Sequence, residues 1–71
     1  MPMLTYEYDC LHLEGEDKGK VTTHHCMHGS WETALCWASL VNENHNSPLA
    51  VIEMRHPTTK EKVVYNVNQQ Q

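Results

Sequence analysis

One stretch of this chain carries a helical period, and segments written in the period of a strand bracket it on both sides. From Trp31 to about Glu43 the residues Trp31, Ala34, Leu35, Ala38 and Val41 recur at steps of three and four. That spacing gathers them on one stripe of a helix, which Trp37 and Leu40 widen. Ser30 stands where an N-cap belongs, its hydroxyl able to take a free amide of the first turn. Glu32 follows in that turn, where the helix dipole favours negative charge. The small Ala34 and Ala38 let the helix lie close to its support. A lone helix must bury its stripe against something, and the remaining segments offer only strands.

Leu4 to Leu13 reads as the first strand. Leu4, Tyr6, Tyr8, Cys10 and His12 share one face, with Thr5, Glu7 and Asp9 on the other. Leu11 and Leu13 fall on the polar side, so the apolar set changes sides near Asp9–Leu11, which suggests a bulge or a two-sided end. Glu14-Gly15-Glu16-Asp17-Lys18-Gly19 is the clearest turn. A type I turn over Glu16–Gly19 with Gly19 left-handed would set Glu16 opposite Lys20. Val21 to about Met27 then returns as the second strand, with His12 expected across from His24 and Cys10 across from Cys26.

After the helix, Asn42 to Pro48 is a polar exit that Pro48 closes. Leu49 to His56 reads as a third strand, with Ala50, Ile52 and Met54 on one face and Glu53 and Arg55 on the other. Pro57 to Glu61 is a loop. Lys62 to Asn68 is a fourth strand, on which Val63, Tyr65 and Val67 alternate. The tail Gln69-Gln70-Gln71 is expected to fray. The fold class is therefore α+β: a ββαββ chain forming a four-stranded antiparallel sheet, with one helix packed on one face and the other face wet. The order of strands in the sheet stays open at this level.

With 71 residues, the chain makes one small domain, 1–71, which buries only about 60% of its unfolded surface. Nine acidic against five basic residues give a net charge of −4. A direct nucleic-acid binder would need a basic excess. No apolar run reaches the roughly 18 residues of a membrane span, and Met1-Pro2-Met3-Leu4 reads as no signal peptide. The odd count of three cysteines, Cys10, Cys26 and Cys36, fits free thiols in a reducing cytoplasm. Protonating all six histidines would carry the formal charge from −4 to +2, so the surface field is pH-sensitive where histidine titrates.

Three groupings could carry chemistry or recognition. His24, Cys26 and His28 point one way on the second strand, and Cys10 and His12 could join them from the first. Thiolate and imidazole are zinc ligands, yet ligands two apart on a flat strand lie about 7 Å apart at Cα. The plainer role of Cys10 and Cys26 is core packing. No cofactor or metal is assigned. Nucleophilic catalysis finds less: Cys36 sits on the helix beside Trp37, Ser30 is spoken for as a cap, and Glu16 and Asp17 stand on an exposed turn with nothing to raise a pKa. The third grouping is charge. Glu14, Glu16 and Asp17 make an acidic hairpin tip, with Glu7 and Asp9 further down the strand and Lys18 and Lys20 as a partial offset, and Arg55, Lys60 and Lys62, with His56, make a basic end. Such a dipolar molecule suits steering onto a charged protein partner, and open sheet edges add backbone groups for docking.

The serine-capped helix Ser30-Trp31-Glu32-Thr33-Ala34-Leu35-Cys36-Trp37-Ala38, followed by the strand Leu49-Ala50-Val51-Ile52-Glu53-Met54-Arg55, a short turn and a last strand, resembles the small phage-encoded inhibitors of the anti-CRISPR class. The resemblance covers residues 30–67 and carries over no functional residue. It implies a stoichiometric inhibitor in the cytosol of an infected bacterium, one that binds a CRISPR surveillance complex and blocks target DNA. The expectation is thus a non-catalytic protein–protein binding module that uses Glu14, Glu16, Asp17, Arg55, Lys60 and Lys62. The alternatives are a zinc-binding regulatory domain built on the first-hairpin Cys/His cluster, and an accessory protein that binds nucleic acid weakly.

Overall fold

The structure, a computed structural model, describes residues 3–67. Its elements are β1 (Leu4–His12), β2 (Val21–His28), α1 (Trp31–Glu43), β3 (Leu49–Arg55) and β4 (Lys62–Val64). The four strands form one antiparallel sheet in the order β2-β1-β3-β4. The two hairpins therefore lie side by side, joined through β1 and β3, with α1 as the link between them. This is the expected α+β arrangement.

The helix forms where its stripe and cap place it. Ser30 is extended (φ −158°, ψ 163°), and its Oγ accepts the Thr33 amide at 3.1 Å. Ala34 and Ala38 are fully buried, packed with Tyr6, Cys10, Val51 and Met54 in the core. Trp31, Leu35, Trp37 and Val41 flank that core half-buried. Leu40 does not join the stripe and is 60% exposed. It lies two residues beyond Ala38, about 200° around the helix, and so points away from the sheet.

The first hairpin pairs in a different register from the expected one. Tyr6 faces Cys26, Tyr8 faces His24 and Cys10 faces Thr22, so neither His12–His24 nor Cys10–Cys26 is a cross-strand pair. The connection is wider than a three-residue loop. The Gly19 amide bonds the His12 carbonyl at 2.8 Å and the His12 amide bonds the Lys20 carbonyl at 2.9 Å. Gly15 and Gly19 both take positive φ, 86° and 91°, which glycine adopts without steric cost. The slip is even, so each residue keeps its face.

A bulge interrupts the β1–β3 ladder. Asp9 pairs with Glu53 but Cys10 pairs with Val51, which leaves Ile52 as an extra residue. The bulge expected near Asp9–Leu11 is here, but its inserted residue lies on β3, and β1 itself changes no sides, since its ladder with β2 is unbroken. Ala50, Ile52 and Met54 consequently do not form one face. Val51 and Met54 both turn to the helix and are fully buried. Above the bulge the Val51 backbone looks past the end of β4, and Asn42 at the end of α1 meets it there. The Asn42 Nδ2 donates to the Val51 carbonyl at 3.0 Å, and the Val51 amide donates to Asn42 Oδ1 at 2.7 Å.

β4 ends at Val64, short of the expected Asn68. Beyond it the Tyr65 amide still bonds the Ile52 carbonyl at 3.0 Å, and the Tyr65 hydroxyl donates to the Leu35 carbonyl at 3.3 Å. That phenol draws the chain onto the helix side. Asn68 and the tail 69–71 lie outside the described residues.

Candidate interaction surface

The sheet face away from α1 carries a charged network held at fixed distances. β-alternation sends Glu7 and Asp9 of β1, Thr23 and His25 of β2, and Glu53 and Arg55 of β3 to this side. The Arg55 guanidinium sits among the acids: Nε donates to Glu7 Oε1 at 2.8 Å, Nη1 to Asp9 Oδ2 and Glu53 Oε2 at 2.9 Å each, and Nη2 to Asp9 Oδ1 at 2.9 Å. Thr23 donates to Asp9 Oδ1 at 2.8 Å, and His25 Nε2 lies 3.4 Å from Glu7. The hydrogen bonds and charge of Arg55 hold the Glu7 and Asp9 carboxyls below their ordinary range, against the opposing effect of burial. The three carboxylates in turn push the Arg55 pKa up. A planar guanidinium can satisfy several carboxylates at once, which an ammonium cannot.

Apolar side chains rim this network: Val21 is 52% exposed, Met27 56% and Val64 67%. Lys62 pairs across the ladder with Arg55, so two of the expected binding residues are neighbours. Arg55 is, however, already committed to carboxylates. Lys60 lies in the β3–β4 turn at φ 67°, beside a tight corner in which His56 Nδ1 accepts the amides of Thr58 and Thr59 at 3.1 and 3.2 Å. Glu14, Glu16 and Asp17 stand exposed at the β1–β2 tip, where Asp17 meets Lys20 at 3.5 Å. The registers place this tip at one end of the sheet, near His12 and Leu49, and the Lys60 turn at the other, beyond Glu7 and Arg55. The molecule measures 39 × 19 × 17 Å. The acidic tip and the lysine turn are therefore separate sets, not one patch, and Glu7, Asp9 and Glu53 around Arg55 offset the cations of the lysine end.

The helix-side cysteines and histidines are engaged singly. Thr22 Oγ1 lies 2.8 Å from His12 Nε2 and 2.7 Å from His24 Nε2, so both imidazoles turn to one hydroxyl. His24 stacks on Tyr8 at 5.6 Å. His28 is buried between Tyr6 and Trp37, with ring centroids 5.9 and 5.3 Å away, and its Nε2 has no hydrogen-bond partner. Cys10 is buried, Cys26 half-buried and Cys36 exposed, and none is in a disulfide. Burial, with a smaller contribution from Asp9, pushes the Cys10 thiol up to about 11. Among the described residues no three His, Cys, Asp or Glu side chains are grouped to hold a metal ion, and no helix is long and apolar enough to cross a membrane.

Glu53, Thr23, His25 and Asn42 were not singled out as site residues from sequence. Of these, Glu53 had a readable signal. Glu7 with Asp9, and Glu53 with Arg55, are two apart on strands and hence share a face, and a β1–β3 pairing joins the two sets. Asn42 had none, because its partner is backbone. Compared with known proteins, the chain matches no family model, no curated protein and no solved structure.

Proposed function

We propose that this chain is a non-catalytic protein–protein binding module that docks through the open face of its sheet and the Lys60–Lys62 end. The observation carrying this reading is the Arg55 network with its apolar rim. Polar groups already fixed by one another lose little freedom when a partner covers them, and preorganisation of this kind favours binding. Val21, Met27 and Val64 supply apolar area beside them, and Lys62 adds a cation on the same face.

The resemblance across residues 30–67 gives the proposal its specific form: a phage inhibitor that occupies a bacterial CRISPR surveillance complex and blocks its target DNA. The test is target-DNA binding by a purified surveillance complex titrated with this chain. The expected result is loss of DNA binding at equimolar inhibitor, relieved by Lys60→Glu/Lys62→Glu. Undiminished DNA binding at saturating chain would remove the inhibitor reading. Capture of the same protein partner by wild type and the double variant would remove the lysines from the interface.

A further inference from the structure

We propose that the chain self-associates through β2, two copies pairing antiparallel about His24 so that their sheets become one. The sheet has two open edges, β2 and β4. β4 is only three residues long, and shortness is one of the usual ways an edge is kept from pairing. β2 is eight residues long, Val21-Thr22-Thr23-His24-His25-Cys26-Met27-His28, and carries none of the usual protections. It contains no proline, no lysine or arginine, no acidic residue, and no break in its ladder with β1. This proposal shares Val21 and Met27 with the docking surface above, but its test reads the mass of the chain alone and needs no partner.

The ladder phase fixes which groups face out. The His12 amide bonds the Lys20 carbonyl, so the even residues of β2 turn their backbone groups to β1. Val21, Thr23, His25 and Met27 turn theirs to the open side. A two-fold axis makes the contact isologous, and outward groups must meet outward groups. The register centred on His24 meets both conditions and overlaps the whole run Val21–Met27. It sets Val21 opposite Met27 of the second copy, and Thr23 opposite His25 of the second copy. Val21 and Met27 are 52% and 56% exposed and stand at the two ends of this run. One register thus covers each apolar side chain with the other, at both ends of the interface.

Charge permits the contact. Each copy carries net −4, but none of the formal charges lies on β2. The acids nearest to it on β1, Glu7 and Asp9, are bonded to Arg55. Two β2 edges therefore meet with no lysine, arginine or carboxylate on either strand.

Sedimentation equilibrium of the full chain over a wide concentration range tests this. Wild type is expected to move reversibly between chain mass and twice chain mass. Val21→Lys/Met27→Lys sets lysines against each other at both ends and should raise the dissociation constant roughly tenfold or more, with circular dichroism unchanged, and melting unchanged at dilutions where wild type is at chain mass, because both positions are exposed in the single chain. Register is read separately by Val21→Cys/Met27→Cys in a Cys36→Ser background. Mild oxidation with diamide should give a covalent dimer, and neither single cysteine variant should. A wild type that stays at chain mass throughout overturns the proposal. So does a dimer that survives the lysine pair or fails to cross-link.

Discussion

Asn42 completes a strand that the chain does not supply. Its carboxamide donates to the Val51 carbonyl at 3.0 Å and accepts the Val51 amide at 2.7 Å, as a neighbouring peptide group would. Val51 is fully buried, so losing this partner leaves a backbone donor and acceptor without water. Asn42→Ala is expected to cost about 1–3 kcal/mol, measured by urea unfolding. Asn42→Asp should cost as much at neutral pH, since a carboxylate accepts the amide but repels the carbonyl. It should recover part of the loss as the medium is acidified and the carboxyl becomes a donor. A stability of Asn42→Asp that does not move toward wild type on acidification would refute this pairing.

Arg55 gives the protein a defined acid sensitivity. Its contacts depress the Glu7 and Asp9 carboxyls in the folded state. A depressed folded pKa contributes stability that is complete above the unfolded value and lost as pH falls through the folded value. The stability these two carboxyls contribute should therefore be complete above about pH 4 and be lost below it, read as the acid limb of melting temperature against pH. Arg55→Lys keeps the charge but not the fork, and should cost about 1–2 kcal/mol at neutral pH while making the acid slope shallower. An unchanged slope in that variant would assign the acid transition to other groups.

What the sequence disclosed was set by how local each determinant is. The helix Trp31–Glu43 was readable because its cap, Ser30, and its buried stripe, Ala34 and Ala38, all lie within one element. The hairpin register was not. Gly19 alone satisfies a short turn, and only the added left-handed Gly15 and the His12–Gly19 bond show the wider loop. Val51 and Ile52 are both apolar, so alternation could not reveal that Ile52 is the inserted residue. The acidic tip was readable as a charge run, but Arg55 looked like a free cation because its partners Glu7 and Asp9 are more than forty residues away in the chain.

The core ranks its own members. Met54 is fully buried beneath α1, whereas Leu35 is only partly so. Met54→Ala should cost about 2–5 kcal/mol, the range for a buried large-to-small change. Leu35→Ala should cost about half as much, because less apolar area leaves water in the first place. Chemical denaturation of the two variants side by side checks the order. Equal costs would mean that the helix repacks around the Met54 gap.

The thiols should separate by environment. Burial raises the Cys10 pKa to about 11 and removes the sulfur from solvent, and the thiolate is the reactive form. Iodoacetamide at mildly alkaline pH should label the exposed Cys36 first and leave Cys10 unmodified until the protein unfolds, as read by peptide mass mapping. A raised folded pKa also means that the buried thiol's contribution to stability, full below the free-thiol value of about 8.5, declines as pH rises toward 11. Prompt labelling of Cys10 in the native state would contradict its place in the core.

Lys60 couples stability and recognition in opposite senses. Its φ of 67° lies in the left-handed region, which costs a residue with a Cβ about 1–2 kcal/mol. Glycine escapes that cost but loses more freedom on folding, by roughly 0.5–1 kcal/mol. Lys60→Gly should therefore stabilise the fold by up to about 1 kcal/mol while deleting one cation from the end proposed to meet a partner. Lys62→Gly, in a strand with no positive φ, should delete a cation and destabilise. The comparison separates the two effects: a higher melting temperature with weaker partner binding in Lys60→Gly, against lower values of both in Lys62→Gly. A Lys60→Gly protein that melts lower than wild type would show that the turn does not store strain at this residue.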